Sequence, residues 1–303
     1  MSQATATRMI VADNLAISTA PKYMAFQTCD LVGMREFGRD EGHRGTRQRS
    51  SCRARVVSDT SGGSWSIKPS VTEMDWLLLH YLGAGTGGSG SPWKIAETLP
   101  LYYALVDKVA AKYLYTLAPS KLTIAGSEKQ YLLWTADTVG GAETEWVSLW
   151  PTISPAFAEC GTAFLFADAV LTYGGVEYPM QSFSLSIDNA IDGQQYENSI
   201  TPSRFEAADS IVQLSVKCAF RSDTKALYRA AVAGATGSLV ISNGVGLGTH
   251  SYTFSFANLK IPNGGPKIPV TGRINFDLTM EAYRTGTGVD DDDQKLKVVK
   301  VTN

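Results

Sequence analysis

Short runs in which apolar and polar residues alternate are the feature that most restricts how this chain can fold. A period of two places the apolar side chains on one face of a β-strand, and four runs in the second half of the sequence show it. The four apolar sets are Phe183, Leu185 and Ile187; Val212, Leu214, Val216, Cys218 and Phe220; Tyr252, Phe254 and Phe256; and Ile274, Phe276, Leu278, Met280 and Ala282. The second half is therefore predicted to be mainly β.

Two segments break this period and are predicted to be helices, residues 72–82 and 223–233. Thr72 with Asp75 offers a capping arrangement at the start of the first helix. Each segment is followed by a glycine, Gly83 or Gly234, which can end a helix in the left-handed conformation. The matched endings suggest an internal repeat.

Aligning Gly83 with Gly234 places Trp76 on Leu227 and leaves strands in the same order on either side of both helices. The extra residues of the first copy, the glycine-rich stretch 84–91, are tolerable because closure entropy grows slowly with loop length. The predicted fold is mainly β, with two similar β-sandwich or barrel units in tandem duplication, each flanked by one α-helix. The predicted boundaries are an N-terminal arm 1–20, a first unit 21–155 and a second unit 156–303.

The composition excludes several classes of protein. The formal net charge is -2, so no global excess of positive charge attracts nucleic acid, and 44% hydrophobic with 18% charged residues is the balance of a folded chain. The sequence shows neither a secretory signal nor an apolar run of bilayer-spanning length, which predicts folding in the cytoplasm. Its four cysteines have no CxxC spacing and are expected to be free thiols: Cys29, Cys52, Cys160 and Cys218.

No recognisable catalytic, metal or cofactor site is present in the sequence. The glycines at 85, 87 and 90 match GxGxxG but follow a helix, whereas dinucleotide binding requires a strand, the glycine loop and then a helix. The three histidines lack metal or triad spacing. Glu143 and Glu145 are expected to be solvated. We therefore predict a protein that is not an enzyme and needs no cofactor.

The order of these segments resembles the tail tube proteins of long-tailed, siphovirus-type bacteriophages. The second half carries the resemblance in Ser-Phe-Ser-Leu-Ser-Ile-Asp-Asn at 182–189, in the helix that ends at Gly234 and in the late strand 270–283. Residues 65–83, 135–143 and 296–303 are similar as well. Such proteins fold as a β-sandwich flanked by a helix, and strands of successive subunits form a continuous barrel around a lumen.

The resemblance implies a structural subunit of the virion tail, assembled in the bacterial host cytoplasm. Rings usually contain six such folds, so a subunit with two would close as a trimer; six subunits is the alternative. Stacked rings would form a tube through which double-stranded DNA passes without specific binding. The implied partners are other copies of the chain and the tail terminator, tape measure and baseplate-side proteins, with no membrane.

Two polar segments are predicted to make contacts between subunits or rings. Segment 34–55 is rich in arginine, whose guanidinium group can pair with carboxylates of a neighbour. Segment 190–209 is long for a loop, and the equivalent loop in the resembled family reaches the adjacent ring. The candidate contact residues are Arg35, Arg39, Arg44, Arg47, Arg49, Asp192, Tyr196, Glu197, Phe205 and Glu206.

Other readings of the sequence remain open at this point. The inner tube of a contractile tail or of a secretion apparatus would have a similar fold. A monomeric all-β binding module or adhesin belongs to a different class and would show a ligand groove. The acidic run 290–293 is expected to be a solvated turn, although acid facing a lumen would repel DNA.

Overall fold

The computed structural model describes residues 8–13, 15, 17, 21–38, 55–108, 111–147, 163–219, 222–244, 249–262, 275–286 and 294–302. This part of the chain is mainly β, as predicted, with two α-helices and one short 3-10 helix. The predicted junction near Pro151 and Pro155 lies outside the described residues, as do Cys52, Cys160 and the acidic run 290–293. Within the described ranges, neither Cys29 nor Cys218 forms a disulfide.

Eleven strands and the first helix lie between residues 8 and 147, which we call the first half. They are β1 (Arg8–Ala12), β2 (Lys22–Tyr23), β3 (Phe26–Cys29), β4 (Val32–Phe37), β5 (Val56–Ile67), α1 (Val71–Leu82), β6 (Gly83–Ala84), β7 (Trp93–Ile95), β8 (Tyr102–Asp107), β9 (Lys112–Ser127), β10 (Leu133–Gly140) and β11 (Thr144–Glu145).

The remaining elements lie between residues 163 and 302, the second half. They are the 3-10 helix Phe166–Asp168, β12 (Val170–Tyr173), β13 (Val176–Tyr178), β14 (Ser182–Asp188), β15 (Ile191–Gln195), β16 (Arg204–Ala207), β17 (Ile211–Ala219), α2 (Ser222–Ala233), β18 (Ala235–Ser242), β19 (His250–Lys260), β20 (Asn275–Tyr283) and β21 (Leu296–Thr302).

Helix α1 begins one residue earlier than predicted, and its cap differs from the predicted one. Ser70 is the N-cap, and its hydroxyl accepts a hydrogen bond from the Glu73 backbone N–H while the Glu73 carboxylate accepts one from the Ser70 backbone N–H. This reciprocal capping box satisfies two N–H groups that would otherwise lack partners, so the predicted cap of Thr72 with Asp75 was wrong. Gly83 ends the helix at φ 88°, as expected.

The strands of the two halves pair in the same order. In the first half, β5 pairs with β10, β10 with β9, β9 with β8, β8 with β1, and β1 with β2. In the second half, β17 pairs with β20, β20 with β19, β19 with β18, β18 with β12, and β12 with β13. The short strand β11 pairs with β9, and the longer strand β21 pairs with β19, so these two strands also occupy corresponding positions. All these pairings are antiparallel.

Two connections join the halves into one hydrogen-bonded sheet. Strand β14 pairs with β9 over seven residues, from Ser182 opposite Ser127 to Asp188 opposite Lys121. Strand β21 pairs with β7, which follows α1. At this second connection Lys300 donates to Asp75 of α1 at 2.6 Å. The halves are therefore joined by two strand pairings, one through β14 and one through β21.

One apolar core extends through both halves. Trp76 of α1 and Leu227 of α2 are both buried, as predicted, and belong to this core. The alternating runs place their apolar side chains in it wherever these residues are described, for example Leu185 and Phe254. Burial of this apolar surface is the main favourable term in folding. The large core extends through both halves, and a smaller cluster around Ile10, Leu105 and Leu114 packs separately in the first half.

The glycine-rich stretch after α1 is an ordered hairpin that includes β6 and β7, rather than a simple loop. Gly85 and Gly87 both have positive φ, and a side chain at Gly87 would collide with the Trp93 ring, at 2.2 Å. The glycines therefore allow close packing against Trp93. This accounts for the first two glycines of the GxGxxG pattern without any nucleotide.

Candidate assembly surfaces

Strand β4 is an open edge of the sheet. All six of its residues are exposed, and β5 is its one strand partner in the described part of the chain. Val32, Met34 and Phe37 are 47%, 51% and 58% exposed. A strand edge with exposed apolar side chains is a template for pairing with another chain unless the protein blocks it.

A cluster of polar groups from the first half fixes the start of β4. Leu31 is buried at the break between β3 and β4, and Lys108 donates to its carbonyl oxygen at 2.7 Å. Glu143 accepts from the backbone N–H of Gly33 at 3.0 Å and from the Tyr115 hydroxyl at 2.6 Å. Burial, and then the Glu143 carboxylate, raise the pKa of Tyr115 well above its usual range. Glu143 is thus a structural acceptor, and the expectation that it is merely solvated was wrong.

Strand β14 occupies in the second half the place that β3 and β4 occupy in the first. It pairs with β17, as β4 pairs with β5, but its other edge is covered by β9. Its side chains alternate between buried and half-buried, with Phe183, Leu185 and Ile187 in the core. Among the strands that the structure describes, the same position is therefore covered in one half and open in the other.

The long segment 190–209 contains a two-stranded hairpin, β15 paired with β16, instead of an irregular loop. The hairpin contacts the first half of the same chain. The Tyr196 hydroxyl and the Ser58 hydroxyl lie 2.8 Å apart, and the Asp59 backbone N–H donates to the Ile200 carbonyl at 2.7 Å. Asp59 also accepts from Arg35 Nε at 3.1 Å. Arg35 therefore lies next to the loop that joins β15 to β16.

The structure brings together six of the ten predicted contact residues. Arg35 lies on β4, and the other five lie on the hairpin: Asp192, Tyr196, Glu197, Phe205 and Glu206. Gln195 donates to Asp192 and Glu206, and Arg204 forms an ion pair with Glu197 at 3.3 Å. The four other predicted residues, Arg39, Arg44, Arg47 and Arg49, lie outside the described residues. Whether these side chains contact a second subunit stays a prediction.

The apolar residues of β4 were not among the predicted contact residues, although their alternation is visible in the sequence. Val32 and Met34 alternate with Gly33 and Arg35, which is the period of a strand. The contact residues predicted in this part of the chain were arginines, because their guanidinium groups can pair with carboxylates. The open edge became evident only from the exposure of all six residues.

Among the described residues, no three His, Cys, Asp or Glu side chains lie close enough to hold a metal ion. His80 is buried beside Trp76, and the His250 ring contacts Thr302, while His43 lies outside the described residues. Within the same ranges, no helix is long and apolar enough to cross a membrane.

Comparison with known proteins identifies the family of the chain. The sequence profile of one family, described as "Phage tail tube protein", matches residues 35–282, which is well over half of the chain. No curated protein matches the sequence. The matched range begins on β4 and ends in β20, so it includes both helices and the connection between the halves. The chain therefore belongs to the phage tail tube proteins, a family of structural, non-enzymatic components of the virion tail.

Proposed function

We propose that this chain is the major tail tube protein of a long-tailed phage, a subunit that forms rings which stack into a hollow tube. In this proposal the two halves are tandem copies of one fold. The boundaries proposed from the sequence are 21–155 and 156–303 after an arm at 1–20, and β1 within that arm is counted with the first copy, because it pairs with β8 as β12 pairs with β18. Three chains close a ring with pseudo-sixfold symmetry, and genomic DNA passes through the lumen. The subunit acts by shape and surface, without a cofactor.

The observation that carries this proposal is the connection between the halves. Strand order is the same in both, and β14 of the second half extends the sheet of the first half by pairing with β9. If the halves are equivalent, β4 of one chain takes the place of β14 and extends the sheet of the preceding chain. Repetition of a head-to-tail contact around an axis gives a closed ring when the rotation closes.

The exposure of β4 supports the same conclusion. In a monomer, the unpaired backbone groups and the apolar side chains of Val32, Met34 and Phe37 would be a liability. In a ring they become the contact, because backbone hydrogen bonds and apolar burial then stabilise the junction. The pairing of β21 with β7 would remain internal to each chain.

The hairpin formed by β15 and β16, together with the arginine-rich segment 34–55, is proposed to contribute contacts between subunits or between stacked rings. The hairpin follows β14 in the sequence, and the arginine-rich segment begins on β4, the strand in the corresponding place of the first half. The tube would end at a tail terminator on one side and at baseplate-side proteins on the other, and would enclose the tape measure protein during assembly. Assembly would take place in the host cytoplasm.

Electron microscopy of the purified chain and of one variant tests the proposal. The wild type is expected to form rings or tubes, and ring averages should show threefold symmetry with six similar lobes. Met34→Lys places a charge on the β4 edge, which should leave a folded monomer that assembles poorly. Val176→Lys on β13 is the matched control, because Val176 is 53% exposed and lies on a different strand.

Two results would contradict the proposal in different ways. A wild-type chain that stays monomeric under all conditions would argue against a tube subunit. Rings of six chains, or normal rings from the Met34→Lys variant, would instead reject the trimer or the role of β4.

A further inference from the structure

Helix α1 receives contacts from both halves of its own chain. From the second half, the Tyr252 hydroxyl donates to the Asp75 carboxylate at 2.6 Å, and Lys300 donates to the same carboxylate at 2.6 Å. Asn189, which follows β14, donates to the Tyr81 carbonyl oxygen at 3.0 Å. Eight of the twelve residues of α1 are buried. The second half thus supplies part of the cover of this helix.

Helix α2 occupies the corresponding place in the second half, but one of its faces is open. Leu227 and Ala231 are buried in the core. Residues three or four positions apart share one side of a helix, and four such residues of α2 are exposed: Ala226, Arg229, Val232 and Ala233. In α1, the residues aligned with the last three of these are buried: Leu78, Tyr81 and Leu82. Among the described residues, equivalent positions are therefore covered in α1 and open in α2.

The first half contains counterparts of the two residues that contact Asp75. In the hairpins β8–β9 and β18–β19, the residue after the pair that closes the turn is a tyrosine, Tyr113 and Tyr252 respectively. Tyr252 pairs with Lys300 of β21, and Tyr113 pairs with Glu145 of β11. Tyr252 is fully buried, whereas Tyr113 is only partly buried and Glu145 is exposed. The first half thus presents an equivalent but more exposed corner.

We infer that the corner formed by Tyr113 and Glu145 docks on the open face of α2 in a second copy of this chain. It would do so as the corresponding corner of the second half docks on α1 within the chain. The inference rests on the proposed function, and it adds a second contact to the junction that β4 makes between subunits.

The charges at the two surfaces are complementary. Within the chain, Asp75 on the helix meets Lys300 on the strand. Between chains, Arg229 on the helix would meet Glu145 on the strand, so the signs are exchanged and the attraction is kept. Complementary charges mainly give an interface its specificity and its register. A corner that approached α1 instead would bring Glu145 toward Asp75, and the two like charges would repel each other.

The shape of the open face suits a strand corner. Ala226 and Ala233 have small side chains that allow close approach, and Val232, which is 58% exposed, offers an apolar contact for the Tyr113 ring. The corner belongs to the first half and the helix to the second, so the contact joins two different surfaces. Repetition of such a contact around an axis produces a ring when the rotation closes.

A charge exchange tests the contact. Arg229→Glu and Glu145→Arg should each raise the protein concentration needed for ring assembly by at least about tenfold, because like charges then face each other. The variant that carries both changes should assemble at nearly the wild-type concentration. Glu177→Arg on β13 reverses an exposed charge on another strand and should assemble as the wild type does. Circular dichroism melts check that all variants are folded, and light scattering with electron microscopy measures assembly.

Cross-linking tests the proximity of the two surfaces directly. Ala226 aligns with Asp75, so Ala226→Cys with Glu145→Cys should be linked between chains by a short bismaleimide in assembled rings, giving covalent dimers and trimers. Val176→Cys with Glu145→Cys is the control pair, and the wild type gives the background from native cysteines. Rings in which the first pair links no better than the control would overturn the inference.

The charge variants can also overturn the inference without affecting the proposed function. They would do so if both single variants assembled as the wild type does, or if the doubly exchanged variant stayed as defective as the single ones. Failure of the wild type to form rings would instead contradict the proposed function, and this inference with it.

Discussion

Asp13 shows how single side chains fix the N-terminal strand to helix α1. It lies just after β1, and its carboxylate accepts from the Trp76 ring N–H at 3.0 Å and lies 3.3 Å from His80 Nε2. His80 is buried, and its ring is 3.9 Å from the Trp76 ring. The contact with His80, and to a smaller degree the hydrogen bond from Trp76, lower the pKa of Asp13 below its usual value.

Replacement of Asp13 by Asn should therefore weaken the protein in a pH-dependent way. A carboxyl group whose pKa is lowered in the folded state stabilises the fold at pH values above its unfolded pKa of 3.8. This contribution is lost as the pH falls through the lower pKa of the folded state. The Asp13 side chain is 69% exposed, so solvent screening limits the expected loss near neutral pH to about 0.5 to 1 kcal/mol. Chemical denaturation of both proteins between neutral pH and about pH 3 measures it. An equal difference in stability at every pH would refute the titration argument.

Gly83 is a second residue whose role depends on backbone conformation. It ends α1 at φ 88°, and a Cβ there would lie 2.9 Å from the Ala96 Cβ and 3.0 Å from the Thr98 carbonyl oxygen. Gly83→Ala should lower the free energy of unfolding by about 1 to 2 kcal/mol from the left-handed conformation alone. Gly88→Ala is the control, because no atom lies within 4 Å of its Cβ position and its φ is not positive. Thermal melts of both variants should differ clearly.

At the scale of elements, the hairpin of β15 and β16 contacts its own chain and is also proposed to contact a neighbouring subunit. Its contacts with Ser58 and Asp59 are few and near the surface, so its contribution to the stability of a single chain should be small. The half-buried Phe205 lies at its surface and is proposed to contact a neighbour. The polar groups of the hairpin are already bonded within the chain: the Tyr196 hydroxyl to Ser58, Asp192 and Glu206 to Gln195, and Glu197 to Arg204.

Shortening segment 190–209 to a tight turn should leave each subunit folded and stop rings from stacking. The melting temperature should fall only slightly, since closure entropy changes slowly with length and the lost contacts are few. Stacking should be more sensitive, because every ring repeats each lost contact by symmetry. Circular dichroism melts are compared with tube yield by electron microscopy. Normal tubes from the shortened chain would show that the hairpin is not needed for stacking, and loss of the fold would assign it to the core.

At the scale of the whole molecule, β21 closes the chain onto itself. It pairs with β19 along seven residues and with β7 of the first half, and it buries Leu296 and Val298. Lys300 is bonded to Asp75, which also accepts from the Tyr252 hydroxyl at 2.6 Å. Burial raises the pKa of Tyr252, and the hydrogen bond to the Asp75 carboxylate raises it further. The halves should consequently unfold together.

Removal of residues 296–303 should therefore destabilise both halves, beyond the strand that is lost. Loss of two buried aliphatic side chains alone removes several kcal/mol, since each contributes about 2 kcal/mol or more. Lys300→Gln is a milder comparison that removes only the ion pair and should cost about 1 kcal/mol. Hydrogen exchange should show faster exchange in β7 and α1 of the truncated chain. Unchanged protection there would mean that the first half is stable without β21.

The local order of elements was largely predictable from the sequence. Alternation at 182–188 is a property of the chain itself, because side chains of a strand point to opposite faces whichever strand lies beside it. Gly83 and Gly234 mark the helix ends because few other residues adopt the left-handed conformation without strain. The helix cap was missed because Ser70 and Glu73 have the correct spacing, but Thr72 and Asp75 resemble a cap equally well.

Which strands pair with each other was decided only by the tertiary structure. The pairing of β14 with β9 joins residues about sixty positions apart, and β21 reaches β7 from the other end of the chain. A strand's sequence specifies which face is apolar but not which edge will cover it, because backbone hydrogen bonds are the same for every partner. For this reason the sequence determined the strands, the helices and the family resemblance. Only the folded chain left β4 and one face of α2 uncovered.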